Sequence, residues 1–285
     1  KNSTKVNNFL TVGKLLPLLL FIIVGFFFVE PAYYEIKNVP GFASFSSAVL
    51  LLVFAFGGFE SVLVNSGEVK NPAKSLPFAL LLAALIIGTV YMLVQIVSIG
   101  TLPSLASSDK PLAEAAGLFM GKSGAIIIAI GAMFSVIGTL NAIMLVGSRL
   151  PFAFSEEKQF PAIFSFIHPR YKTPTWSLLL FMAVTTIISL NYSFLSAASI
   201  SAITRVMIYA IVCITLIILR KKKPDQAGFF KVKYGDIIAV IGVLITMWLL
   251  SSATIKELKH IGIAIGIGLA IYLLMELSKR SRPNK

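Results

Sequence analysis

The charged side chains Lys14, Glu60 and Arg205 fall well inside runs of residues long and apolar enough to cross a lipid bilayer. An ionisable group in hydrocarbon costs about 2–3 kcal/mol or more, so it needs a partner, a water-filled cavity or a function. Glu60 follows a glycine pair, in the run Phe54-Ala-Phe-Gly57-Gly58-Phe59-Glu60. Each glycine weakens a helix by roughly 1 kcal/mol relative to alanine. A helix interrupted here exposes carbonyl and N–H groups to a small polar ligand, with the carboxylate facing the protein interior. The simpler alternative is close helix packing at the glycines, with Glu60 paired to a buried cation.

Lys14, in Thr11-Val-Gly-Lys14-Leu, lies about two turns into its apolar run. It can snorkel to the membrane edge. Alternatively it faces the bundle, where desolvation disfavours a charged amine and lets it take up and release a proton. The residues alone leave both open. Arg205 keeps its charge in proteins, so a fixed ion pair or an entrance charge suits it better than a proton relay. Thr139 and Asn141 can line a cavity or bond to a neighbouring helix. Gly117-Leu-Phe-Met-Gly121-Lys122-Ser123 resembles a phosphate loop but has three residues between the glycines where four are needed. His168 and His260 are isolated, which argues against a metal site, and the lone Cys213 reads as a structural thiol. No HExxH, GxSxG or paired-carboxylate pattern appears, which argues against a membrane protease or hydrolase.

The elements that carry these residues follow from composition. The chain is 57% hydrophobic and 13% charged, with mean hydropathy +0.89. A soluble domain has about 45–50% apolar and about 25% charged residues, so lipid must solvate much of this surface. A helix needs about 20 apolar residues to cross the bilayer core. Eight segments qualify or nearly so: Asn8–Val29, Phe45–Asn65, Leu76–Gly100, Ala125–Val146, Trp176–Leu190, Leu195–Leu219, Ile237–Ser252 and Ile261–Leu277. They predict an all-α, polytopic membrane helical bundle of about eight transmembrane helices, forming one domain over residues 1–285. Gly262 and Gly266 match GxxxG, which permits close helix packing. The net charge of +13 does not mark a nucleic-acid binder, because the basic residues sit between apolar runs rather than on a soluble domain. Eighteen of the 25 Lys and Arg residues fall on one side of the predicted membrane and five on the other. That bias predicts a multi-pass protein of the cytoplasmic membrane with both termini cytoplasmic. The first residue is Lys1, which suggests a fragment or a processed chain.

The run from Phe54 to Glu60, continued by Gly67-Glu68-Val69-Lys70-Asn71-Pro72, resembles the sixth helix of the amino acid–polyamine–organocation permeases. Asn8-Phe-Leu-Thr11-Val-Gly13-Lys14 resembles their fifth helix. Gly147-Ser-Arg149, Phe160-Pro161 and His168-Pro-Arg-Tyr-Lys172-Thr-Pro174 resemble the end of the eighth helix and its loop. Leu219-Arg220-Lys-Lys-Lys-Pro224 resembles the end of the tenth. The resemblance implies helices five to twelve of a leucine-transporter-like, inverted-repeat fold. The first four helices, including a glycine-broken partner that completes the site, would then be missing parts of the same protein. It further implies a secondary amino acid transporter, by proton-coupled symport or exchange and alternating access, with the proton as coupling ion and no other cofactor.

Carried over by position, backbone around Phe54, Ala55 and Gly57 would bind the substrate's α-amino group, with Gly58 also at the substrate site and Phe54 and Phe59 shaping or gating the pocket. Glu60 would couple the break to neighbouring helices, and Asn141 joins it as a coupling or gating candidate. Lys14 matches the lysine that replaces a sodium ion in proton-coupled relatives. Ile143 falls where some relatives present a side chain to the substrate, implying an apolar or unspecific pocket. The implied partners are an amino acid and the bilayer; which amino acid and which oligomer stay open. Two other readings stand beside this one: a truncated, non-transporting bundle that needs a separate chain for helices one to four, and a membrane-embedded enzyme.

Overall fold

Lipid offers a backbone no hydrogen-bonding partner, so an apolar run must satisfy its own N–H and C=O groups as helix. The computed structural model describes residues 2–35, 39–60, 62–63, 69–222 and 232–280, and these form an all-α protein. Its helices are α1 (Asn2–Gly25), α2 (Phe42–Phe56), α3 (Pro72–Thr101), α4 (Pro111–Glu156), α5 (Thr175–Asn191), α6 (Phe194–Lys222), α7 (Gly235–Ser251) and α8 (Ile255–Arg280). Each of the eight predicted segments has its helix. Five helices (α1, α3, α4, α6 and α8) carry stretches long and apolar enough to cross a membrane; α2, α5 and α7 are apolar but shorter.

The boundaries differ from the sequence reading for local reasons. α2 stops at Phe56 rather than near Asn65, because the glycine pair ends it; Asn65, Gly67 and Glu68 lie outside the described residues. α4 begins at Pro111, well before Ala125, and is kinked at Gly121, whose φ of 66° and ψ of −165° are not helical. The first arm of α4 carries Glu114 and ends just before Lys122, so apolar content alone conceals it. α8 begins at Ile255 because Thr254 and Glu257 cap it. Glu257 Oε2 accepts hydrogen bonds from Thr254 N–H and Thr254 Oγ1, both at 2.8 Å. Glu257 N–H returns one to Thr254 Oγ1 at 3.4 Å.

The chain forms two compact units, residues 1–39 with 82–145 and residues 40–81 with 146–285. The first unit is centred on Phe21, Ile22, Val97, Ala115, Ala116 and Ile128, drawn from α1, α3 and α4. At the end of α1, a Cβ on Gly25 would overlap Val97 Cγ1 and lie 2.8 Å from Phe119 Cζ. Forcing extra carbon into a packed core costs about 1–3 kcal/mol. Gly25→Leu is therefore expected to lower the thermal midpoint of the purified protein by several degrees, readable by melting in detergent; an unchanged midpoint would refute that packing.

The second unit is built on α6. Ala202, Ile203 and Val206 of α6 meet Leu50 of α2, Leu249 of α7 and Ile261 of α8. Trp248 of α7 donates from Nε1 to Ser46 Oγ of α2 at 3.1 Å and stacks on Phe42 and Phe45. α2 is thus clamped against α7 along its first two turns, which fixes where its far end points. Outside these cores the helices show apolar side chains: Leu85 is 69% exposed and Leu274 65%, a surface that only lipid solvates well. Nothing lies within 4 Å of a Cβ built on Gly262 or Gly266, so no close helix crossing within the described residues uses the GxxxG pair.

Candidate functional site

The last turn of α2 closes through Gly57 N–H, which donates to Phe54 O at 3.0 Å. Gly57 itself is extended (φ −67°, ψ 151°), so the helix cannot continue through it. Gly58 follows at φ +111°, a conformation that side chains with a Cβ rarely adopt. Residues 59–60 then enter a 3-10 turn. The chain changes direction twice in two residues, as a glycine pair permits and most other pairs do not. The helix is broken, not merely thinned.

Glu60 secures this break. Its Oε2 accepts the Gly58 N–H at 2.9 Å. Its Oε1 accepts a hydrogen bond from Arg205 Nη1, forming an ion pair. Arg205 stands about three turns into α6. Its guanidinium lies directly over Gly57: a Cβ built there would be 2.6 Å from Cζ, 2.7 Å from Nη1 and 2.8 Å from Nε. The pair is partly shielded, with the Arg205 side chain 27% and the Glu60 side chain 31% exposed. Arg205 Nε is buried and has no hydrogen-bond partner among the described residues. Phe54 packs edge-on against Phe194 of α6, ring centroids 5.8 Å apart at 81°. α6 therefore grips the end of α2 at two levels, by an aromatic contact and by an ion pair.

The structure gathers Phe54, Gly57, Gly58, Phe59 and Glu60 at one place, with Ala55 on the exposed side of the last turn. Lys14 is half-buried on α1, and Asn141 and Ile143 are exposed on α4; these three belong to the first unit. Sequence reasoning gave Arg205 a fixed ion pair without saying to what. The signal was available, since Glu60 is the carboxylate placed deepest within the predicted spans and Arg205 their arginine.

The segments assigned by motif also match known proteins. A family model described as amino acid permease matches residues 1–277. The chain belongs to the amino acid permease family. With its long apolar helices, it is a multi-pass membrane protein. It is 30% identical to a branched-chain amino acid permease of Bacillus subtilis (strain 168), over 100% of this chain and 62% of that protein. It is 29% identical to a methylthioribose transporter of the same organism, with the same coverage. To a serine/threonine exchanger, again of that organism, it is 26% identical over 97% of this chain and 65% of that one. The chain thus spans less than two thirds of the length of these relatives. Permeases are transporters and not enzymes, which removes the enzyme alternative.

Proposed function

We propose that the polypeptide is a secondary transporter of amino acids, working by alternating access with proton-coupled symport or exchange. The observation that carries this reading is the break in α2, with its Gly58 N–H held by Glu60 and Glu60 held by Arg205. The end of a helix leaves carbonyls without intrahelical partners and carries partial negative charge. A zwitterion's ammonium group set against the Phe54–Gly57 backbone would be stabilised there, with Phe54 and Phe59 covering its apolar part. Broken helices that present such ends are how transporters of this kind hold small charged solutes. By their sequence positions alone, Ile143 is assigned to substrate binding and Asn141 to gating. The other half of the site would come from a glycine-broken helix outside this chain. Lys14 would carry the coupled proton. The strong Lys and Arg bias supports cytoplasmic termini.

The test is uptake of radiolabelled amino acids by the polypeptide as its gene encodes it, reconstituted in vesicles with an imposed pH gradient. Accumulation above equilibrium is expected, and failure to move any amino acid or polyamine rejects the reading. Lys14→Met is expected to reduce gradient-driven accumulation at least about tenfold, corresponding to about 1.4 kcal/mol of lost coupling. Undiminished accumulation would remove the lysine's proton role.

A further inference from the structure

We infer that the basic end of the α6–α7 hairpin is a docking site for anionic phospholipids, with the headgroup phosphate held by lysines of both arms and the acyl chains lying along the apolar helix faces beneath. The inference stands on the membrane setting of the chain and not on what it transports.

α6 and α7 run antiparallel along a close seam. Cys213 Sγ lies 2.9 Å from where a Cβ on Gly242 would stand, and Val206 and Leu249 share the core farther along. Toward the open end, the Arg220 guanidinium rests over the buried Gly235, with Cζ 2.6 Å from a Cβ position. Arg220 donates from Nη2 to Val232 O at 3.0 Å, and its Nη1 lies 3.7 Å from Asp236 Oδ2. This clamp brings Lys221 and Lys222, in the last turn of α6, and Lys233, just before α7, to the same end of the hairpin. All three are exposed, and no ion pair joins them to a carboxylate among the described residues. Asp236 is already matched by Arg220. In sequence, six Lys and Arg residues fall between positions 220 and 233 against one acidic residue, Asp225; positions 223–231 lie outside the described residues. The C-terminus of α6 offers about half a negative charge, less than its two lysines alone carry. The remaining charge has to be met from outside the chain.

The surface beneath decides what meets it. α6 is long and apolar enough to cross a membrane, so its charged last turn emerges at the membrane surface. Ile218 and Leu219 of α6 and Ile237 and Ile238 of α7, all about half exposed, stand directly next to the basic end. A soluble anion has no use for that wall, whereas a phospholipid joins a phosphate to chains that fit it. Between the two levels, Tyr234 is 65% exposed, with Lys233 Nζ 5.4 Å from its ring centroid. Tyrosine rings of this kind sit at headgroup level. Each lysine near an anionic surface strengthens attachment about fivefold, so three together are enough to select anionic over zwitterionic lipid.

The test uses the polypeptide as its gene encodes it, purified in a non-ionic detergent and titrated with phosphatidylglycerol or phosphatidylcholine, with bound lipid counted by native mass spectrometry. For the wild type, the first phosphatidylglycerol is expected to bind at least about tenfold more tightly than the first phosphatidylcholine. Lys221→Gln/Lys222→Gln/Lys233→Gln is expected to lose that preference, and the same three positions changed to arginine are expected to keep it. Lys256→Gln/Lys259→Gln, which removes two exposed lysines beyond the other end of α7, is expected to leave it unchanged. Equal binding of the two lipids by the wild type would overturn the inference, and so would a glutamine variant that still prefers phosphatidylglycerol. Loss of the preference in the arginine variant or in the α8 variant would overturn it as well, since charge at this one end would then not be the cause. Glycerol 3-phosphate and inorganic phosphate are added as competitors at the concentration of the lipid; displacement by either would make this a site for soluble phosphates and overturn the lipid assignment. The wild-type series decides the matter even where the glutamine variant fails to fold, and none of these readouts depends on transport.

Discussion

Replacing Glu60 with alanine is expected to abolish uptake and to lower the thermal midpoint by several degrees. The substitution removes the acceptor of Gly58 N–H and the counter-charge of Arg205 together. A hydrogen bond to a charged group contributes about 1.5–3 kcal/mol. Breaking a fully buried ion pair costs about 3–5 kcal/mol, whereas an exposed pair is worth about 0–1. With side chains 27% and 31% exposed, this pair falls between those limits, and a total loss of about 2–4 kcal/mol is expected. Glu60→Gln keeps an acceptor for Gly58 and loses only the charge, so it is expected to cost about half as much. In Glu60→Gln/Arg205→Met the stranded cation is gone as well. That double variant should be more stable than the two single losses add up to, by about 0.5–3 kcal/mol of coupling. Melting in detergent together with initial uptake rates reads the whole series. Equal damage from the alanine and glutamine variants would show that the bond to Gly58 carries no weight, and unchanged midpoints would show that the pair holds nothing together.

The helices were legible because the bilayer allows the backbone so few alternatives: about 20 apolar residues in a row have to be helix. The break was legible for a related reason, since two glycines beside a carboxylate make a poor helix and an expensive membrane segment. The features that stayed hidden are those that depend on sequence-distant partners or on arms that are not apolar. The first arm of α4, from Pro111 to the kink at Gly121, carries Glu114, is followed at once by Lys122, and does not register in a reading by hydrophobic length. The pairing of Glu60 with Arg205 joins residues 145 apart, and no local pattern specifies it. Gly57 reads in sequence as a residue that weakens a helix, yet in space it is also the floor on which a guanidinium rests. Lys14 shows the complementary limit. Its burial on α1 is intermediate, which fits a snorkelling side chain and an inward-facing one equally well.

The two glycines should prove separable, because each is required for a different physical reason. Gly57→Ala places a methyl group 2.6 Å from Arg205 Cζ and 2.7 Å from Nη1, the atom that bonds Glu60. The guanidinium must shift and the ion pair must loosen, at an expected cost of about 1–3 kcal/mol. In an Arg205→Ala background the obstruction is absent, so Gly57→Ala should then cost almost nothing. Gly58→Ala meets no atom within 4 Å, and its penalty comes from holding an alanine at φ +111°. Strain of that kind costs about 1–3 kcal/mol, and it should be the same with or without Arg205. A double-mutant cycle on thermal midpoints therefore predicts strong coupling between positions 57 and 205 and none between 58 and 205. Coupling at 58, or its absence at 57, would mean that Arg205 does not rest where this geometry puts it. If the predicted pattern holds, one glycine is there to turn the backbone and the other to admit the charge that secures the turn.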